Sequence, residues 1–460
     1  MSFSSFNLHP DLLRGVADLG FTVPTKIQSD GIPPALAGRD VLGCAMTGSG
    51  KTAAFVLPVL HRLLGQRRGT TRALVLAPTR ELAAQIVEHT NGLARHTPLR
   101  AAAVYGGVPM APQERALRQG ADVIVACPGR LLDHLDRPYA RLHDLDFLVL
   151  DEADRMLDMG FLPDIRRVLK HIGPVKQSLL FSATMPPAIV SLSRQLLRDP
   201  VKLDVERPAA PATGVAQAVY PVPQELKSAL LVGLLKSDEI KNVLVFTRTK
   251  HRANRLAQFL DRAGVPCDRV HGNRSQAQRT QALAGFKSGR YRVLVATDVA
   301  ARGIDVEALS HVVNFDVPGV PDDYIHRVGR TARAGATGEA YTFVAPQEQD
   351  ELRAIERKVG RSLPRRQLAG FDYKGRPAEK LEIPIGERIA AIRSRKAEER
   401  ARAQAKAERK PHQHQASQHQ ASQHAAQKPA TAAAGSGSGQ RRSRRSRGGS
   451  SRGRATGARW

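Results

Sequence analysis

The sequence predicts an α/β protein: two consecutive domains, each a parallel sheet flanked by helices, followed by a disordered basic tail. Three observations carry that prediction. Short runs rich in Val, Leu and Ala alternate with longer helix-like stretches, the pattern of strands buried on both faces. A Pro/Ala-rich break, "VERPAAPATG" at 205–214, interrupts the alternation before it resumes. The last fifth of the chain loses the alternation altogether.

Before the break, the candidate strands are "RDVLGCA", "RALVLAP", "RAAAVYGG", "ADVIVAC", "DFLVLDE" and "QSLLFSAT". After it come "KNVLVFTRT", "PCDRVHG", "YRVLVATD", "SHVVNFDVP" and "GEAYTFV". The expected boundaries are a first domain at 1–205, a linker at 206–214, a second domain at 215–366 and a tail at 367–460. Polar residues gather where these strands end. Open parallel sheets bind ligands beyond their carboxyl ends, so each domain presents its chemistry along one edge.

The totals narrow the function classes. Of 460 residues, 42% are hydrophobic, enough for real cores, yet no apolar run reaches the length of a membrane span. The opening "MSFSSFNLHPDLLRG" lacks the basic-then-apolar order of a secretory signal. Cys44, Cys127 and Cys267 are far apart, which fits a reducing cytoplasm and neither a disulfide framework nor a structural zinc site. A formal net charge of +27 points to a polyanionic partner, nucleic acid ahead of anionic membrane.

About half of that excess lies late in the chain. From residue 371 onward there are 21 Lys and Arg against 7 Asp and Glu. "IGERIAAIRSRKAEERARAQAKAERK" reads as a solvated helix, "HQHQASQHQASQHAAQ" as a polar spacer, and "GSGSGQRRSRRSRGGSSRGRATGARW" as a segment that cannot bury a core. The arginines form a phosphate-tracking arm, or else a solubility tail.

"AMTGSGKT", Ala45 to Thr52, follows a strand and opens a helical stretch. Gly48 and Gly50 let backbone N–H groups close around phosphate oxygens. Lys51 offers charge to the β and γ phosphates, and Thr52 a hydroxyl to Mg²⁺. The general phosphate-loop pattern has Gly where this chain has Ala45. "FLVLDEADRML", Phe147 to Leu157, ends an apolar run in three carboxylates. Alone it is an ordinary acidic cap. Beneath a phosphate loop, Asp151 becomes the metal carboxylate and Glu152 the base that orients and deprotonates a water.

Asp-Glu-Ala-Asp, with "AMTGSGKT" before it and "SAT" after it, resembles the DEAD-box RNA helicase family. The resemblance covers about residues 1–365, with the motifs in the family's order, and is strongest to the bacterial RhlE type. In that family Ala45 is the usual residue. The resemblance implies two RecA-like domains, ATP with Mg²⁺ as cofactors, and RNA as partner. "GFTVPTKIQ" is similar to the Q motif, so Gln28 would present its amide to adenine and Phe3 would stack on the ring. Thr47 and Ser49 would join Ala45, Gly48, Gly50, Lys51 and Thr52 around the nucleotide, with Gly303 and Asp305 on its ribose side. Ser182, Ala183 and Thr184, with Asp154 and His326, would couple hydrolysis to strand separation. Arg330 and Arg333 lie three apart, on one side of a helical turn, and by resemblance would reach across the cleft to ATP. The RNA-facing residues implied are Pro78, Thr79, Arg80, Gly106, Gly107, Pro128, Gly129, Arg130, Thr247, Arg248, Gly272 and Thr297. Cys127 stands where the family usually has Thr, which removes a good hydroxyl donor.

The expected function is an RNA-dependent ATPase that locally unwinds short duplexes or remodels RNA–protein complexes as two domains close on RNA. The alternative is an ATP-gated RNA clamp or RNA-binding protein with little strand separation. A relic ATP site or a DNA helicase are more distant readings. Contacts to backbone predict little sequence preference. Ribosomal and messenger RNA complexes both fit such an enzyme.

Overall fold

The computed structural model describes residues 2–45, 48–204, 214–237, 240–301, 309–331 and 337–375. The predicted linker except Gly214, and the tail from 376 onward, lie outside the described residues.

Each apolar run singled out in the sequence is a strand. Among the described residues the first sheet contains β1 (Val41–Cys44), β2 (Ala73–Leu76), β3 (Ala101–Val104), β4 (Val123–Ala126), β5 (Phe147–Leu150), β6 (Gln177–Ser182) and β7 (Val201–Asp204). Its order is β3-β4-β2-β5-β6-β1-β7, and every pairing is parallel. The second contains β8 (Val215–Pro221), β9 (Val243–Phe246), β10 (Cys267–Val270), β11 (Val293–Ala296), β12 (His311–Asn314) and β13 (Gly338–Val344), in the order β10-β11-β9-β12-β13-β8, again all parallel.

The period of two explains why the central strands are apolar throughout. On β5, Phe147 and Val149 join a core with Phe55 and Phe181, while Leu148 and Leu150 join another with Met156 and Ile165. On β9, Val243 and Val245 pack toward Leu230 and Leu256, and Leu244 and Phe246 toward Ala282 and Phe286. Both faces of each sheet are therefore covered, as all-parallel sheets require.

Two strands were not foreseen, β7 and β8. They flank the Pro/Ala break, and each is the outermost strand of its sheet. The second domain also runs past the expected boundary at 366. Leu368, Phe371 and Tyr373 pack against the core that contains Leu230 and Leu234. Val219 of β8 donates its N–H to Pro364 O at 2.8 Å and accepts from Arg366 N at 2.8 Å.

Helices begin where the strand-end motifs stop. Thr79 caps Arg80–Leu93, Thr249 caps Lys250–Arg262 and Ser275 caps Gln276–Lys287, each side-chain oxygen accepting a backbone N–H of the first turn. The caps fix the loops at the carboxyl edge of each sheet.

Candidate nucleotide site and nucleic-acid edge

The phosphate loop leaves β1 at Cys44 and enters the helix Lys51–Leu63. Gly50 caps that helix with φ 92°. A Cβ there would stand 2.6 Å from Gln28 Nε2 and 2.8 Å from Thr25 Oγ1, so both backbone and space demand glycine. Lys51 is 5% exposed. Its Nζ donates to Ala45 O at 3.0 Å and lies 3.8 Å from Asp151 Oδ1. Gly48 is exposed, while Ser49, Gly50 and Thr52 are half-buried; Thr47 lies outside the described residues.

The Q-motif residues clasp this loop. Thr25 Oγ1 donates to Ser49 O at 2.8 Å, and Gln28 Nε2 donates to Gly50 O at 3.0 Å. Gln28 Oε1 accepts from Thr25 N at 2.9 Å, as part of a capping box. An amide carries two protons and two lone pairs, so Gln28 retains one of each for a base. Phe3 is 5% exposed, with its ring 6.0 Å from Phe6 and stacked 6.2 Å from Phe21. In this structure it serves the core.

Asp151, Glu152 and Asp154 end β5 and open the short helix Ala153–Asp158. Burial pushes the Asp151 carboxyl up to about 6; nearby Lys51 pulls the other way, while Glu152 and Asp154 add to the rise. Because the raised value favours the proton, this group adds folded stability below its unfolded pKa. That contribution is lost as pH rises through about 6, where the buried charge must be met by a cation. Glu152 holds φ 50°, a left-handed conformation costing about 1 kcal/mol or more in a non-glycine residue. Its N–H donates to Asp151 Oδ1 at 2.9 Å. Asp154 Oδ2 accepts from Thr184 N at 2.8 Å and Thr184 Oγ1 at 3.0 Å, and Asp154 N donates to Ser182 Oγ at 3.2 Å. Ala183 O lies 3.7 Å from Cys44 Sγ. The Ser-Ala-Thr turn is thus bolted both to the acidic helix and beside the phosphate loop.

In the second domain the helix Pro321–Val328 carries His326, with Arg330 just beyond it. Arg330 is 3% exposed. These two side chains line one small cavity with Arg155 of the acidic helix. Burial, then nearby Arg155, lowers the His326 pKa to about 4. Arg333, Gly303 and Asp305 lie outside the described residues. Sequence reading missed Arg327, whose fork grips Asp298 at 2.6 and 2.8 Å and reaches Asp316 O at 2.7 Å. That fork ties the helix to the strand-end turn that holds Thr297.

The expected nucleic-acid residues form one group in the first domain. A Cβ on Gly107, where φ is 82°, would collide with the Arg80 guanidinium at 2.0 Å, and Gly106 lies under both Arg80 and Arg130. Arg130 donates to Val108 O at 3.1 Å and pairs with Asp133 at 3.3 Å. Pro78 is buried beside Thr79, and Pro128 and Gly129 begin the helix Pro128–Leu135. Cys127 caps that helix without a side-chain hydrogen bond and is 8% exposed. Burial pushes its thiol up to about 12. In the second domain, Gly272 is exposed and Thr297 half-buried. Thr247 is fully buried. Arg248 is turned onto Val317 O at 3.0 Å, with Glu348 and Glu351 at 3.7 and 3.9 Å.

A contact between the domains was also missed. Glu81 Oε1 accepts from Gln276 Nε2 at 2.9 Å, and Glu81 Oε2 pairs with Arg279 at 2.8 Å. All three are buried. The signal was available: Glu81 sits inside "PTREL", and Gln276 and Arg279 are three apart on one helix face. Breaking a buried ion pair costs about 3–5 kcal/mol, and even a third of that is tenfold in an equilibrium. Glu81→Ala is therefore expected to raise the RNA concentration for half-maximal ATPase by about tenfold or more. An unchanged half-saturation point rules the contact out as a latch.

Among the described residues no group of three or more His, Cys, Asp or Glu side chains is placed to hold a metal. Mg²⁺ does not need one, since it keeps waters and is bound through one or two carboxylates plus substrate phosphates. Asp151, buried beside Lys51, and the Thr52 hydroxyl form such a sparse, hard oxygen set and fit the ion.

Comparison with known proteins gives a consistent result. Residues 25–192 match the family model "DEAD/DEAH box helicase", and 226–335 match "Helicase conserved C-terminal domain". The DEAD-box ATP-dependent RNA helicase CshA of Bacillus subtilis is 41% identical over 365 residues, covering 79% of this chain and 74% of that protein. DEAD-box ATP-dependent RNA helicase 30 of Arabidopsis thaliana is 45% identical over 348 residues, 74% of this chain and 59% of its own. Among solved structures, S. cerevisiae Dbp5 bound to RNA and ADP BeF3 is 32% identical with a TM-score of 0.72, over 79% of this chain and 95% of that one. Mss116p bound to single-stranded RNA and AMP-PNP is 26% identical with a TM-score of 0.72, over 80% of this chain and 79% of that one.

Proposed function

Since the chain belongs to the DEAD-box family of ATP-dependent RNA helicases, we propose that it hydrolyses ATP when its two domains close on RNA, and that closure locally separates a short duplex. One observation carries this reading most directly. Arg155 of the acidic helix lines the same cavity as His326 and Arg330 of the second domain. The acidic helix of the first domain and the segment carrying His326 and Arg330 in the second therefore border one cavity.

In this reading Lys51 neutralises the ATP phosphates, and Asp151 with Thr52 would hold Mg²⁺, which would supply positive charge to them. Glu152 takes a proton from the attacking water. Water oxygen bonds to the γ-phosphorus as the bond to the β–γ bridging oxygen breaks, and the charge leaving with ADP faces Lys51 and Arg330. Gln28 turns its spare proton and lone pair to adenine. Arg80, Arg130 and the Gly106–Gly107 backbone meet RNA phosphates, so affinity falls steeply with salt and varies little with sequence. Arg248 joins them only by leaving Val317 O. The tail, with its 21 Lys and Arg against 7 Asp and Glu, adds an auxiliary RNA arm. RNA of ribosomal or messenger complexes is the proposed target, and the cytoplasm the proposed location. No described helix is long and apolar enough to cross a membrane. The RhlE-like assignment rests on the N-terminal stretch and the basic tail.

The test is steady-state ATPase activity without nucleic acid, with single-stranded RNA and with matched DNA, at one stated salt concentration. The expected result is stimulation of about tenfold or more by RNA and little by DNA, a difference carried by 2′-hydroxyl contacts. Equal stimulation by both polymers removes the RNA assignment. Displacement of a short labelled RNA duplex separates unwinding from an ATP-gated clamp that merely holds the strand.

A further inference from the structure

Glu152 is 2% exposed, so its carboxyl group has little water around it and depends on protein partners for its orientation. Lys51 is directed elsewhere, to Ala45 O at 3.0 Å and Asp151 at 3.8 Å. Among the described residues, a cation within ion-pair range of Glu152 is Arg155, the residue that follows the Asp-Glu-Ala-Asp run. Its Nε lies 3.4 Å from Glu152 Oε2, in the first turn of the helix that Glu152 caps, and both side chains are only 3% exposed. A helix this short and a backbone in the left-handed region leave the carboxylate little intrinsic order. The Arg155 guanidinium stands within ion-pair range to supply it. Arg155 also lines the cavity shared with Asp323, His326 and Arg330. Arg155 therefore stands beside the base and also borders the second domain.

We propose that Arg155 is a positioning residue for Glu152, holding its carboxyl group in orientation, and that the approach of His326 and Arg330 reaches the base through it. The proposal rests on Glu152 being the base. A plain structural ion pair would instead be expected to cost stability and to leave turnover of the folded protein near normal.

The experiment uses the full chain with ATP, Mg²⁺ and saturating single-stranded RNA. Arg155→Met is expected to lower kcat by about 10- to 100-fold, the cost of a misaligned reacting group, while the KM for ATP and the RNA half-saturation stay within about threefold. Arg155→Lys, which restores the charge without the fork, is expected to recover much of that loss. In single turnover, adding Arg155→Met to Glu152→Gln is expected to change the residual rate by less than about twofold, because the group it orients is already gone. A kcat within about twofold of wild type in Arg155→Met overturns the proposal. So does a rise in KM at unchanged kcat, a Lys variant no better than Met, or a double variant whose losses multiply. If Arg155→Met fails to fold, Arg155→Gln carries the same measurements. Should Glu152→Gln itself turn over normally, the base assignment fails. Should Glu152→Gln be slow and Arg155→Met not, only the positioning role fails.

Discussion

Glu152→Gln is expected to cut RNA-stimulated kcat by about 10²- to 10⁴-fold, the usual contribution of a positioned general base, while leaving ATP binding intact. The side chain keeps its size and its place at the start of the Ala153–Asp158 helix, so the buried site is not emptied. What changes is the capacity to accept a proton. Asp151 remains to bind metal, and its bond from residue 152 comes from backbone and survives the change. The domains can then close on ATP and RNA without completing the reaction that reopens them. Retention of RNA should lengthen as turnover falls, and a filter-binding or fluorescence dissociation measurement in ATP reads both sides of the prediction. Normal hydrolysis, or slow hydrolysis with normal RNA release, removes the base assignment or the coupling respectively.

Arg330→Ala is expected to lower kcat by about 10³-fold or more, in the range of a lost arginine finger. Arg330 sits just beyond the helix Pro321–Val328 and is 3% exposed, where its charge has little water to solvate it and acts at low dielectric. Arg330→Lys should restore little, because an ammonium cannot fork onto two phosphate oxygens. Equilibrium ATP binding to the first-domain site should change much less than turnover, since that affinity is set by Lys51, Gln28 and the phosphate loop. If turnover survives Arg330→Ala, the transition-state contact belongs elsewhere in the second domain.

Fold class was legible because parallel strands covered on both faces must be apolar at every position, as "FLVL", "VLVF" and "VLVA" are. The strands that escaped were the outermost ones. In β7, "VKLD" alternates as a strand with one covered face does, and in β8, Gln217 interrupts the run and Pro221 ends it. The nucleotide loops were legible for a different reason. Glycine, lysine and clustered carboxylates carry their chemistry in their identity and need only order along the chain. Roles that depend on where a side chain turns were not legible. Gln28 holds the phosphate loop through its amide, Phe3 lies in the core, and Arg248 is drawn toward carboxylates. Glu81 with Arg279, and Glu152 with Arg155, are pairs of residues visible in the sequence whose contact only the folded chain establishes.

The short segment after the last helix has a consequence for where this molecule can be cut. β8 is the outermost strand of its sheet, and such a strand offers unpaired backbone groups to any passing chain. Pro364 and Arg366 occupy those groups at Val219, and Leu368, Phe371 and Tyr373 then cover the neighbouring helix Lys227–Lys236, where Gly233 leaves room for Leu368. A chain ended at 335, where the second family match stops, would lack β13 as well as this covering, and one ended near 363 would uncover the sheet's flank. Self-association of such fragments would then reflect an opened sheet edge, with the chemistry of the nucleotide site left untouched.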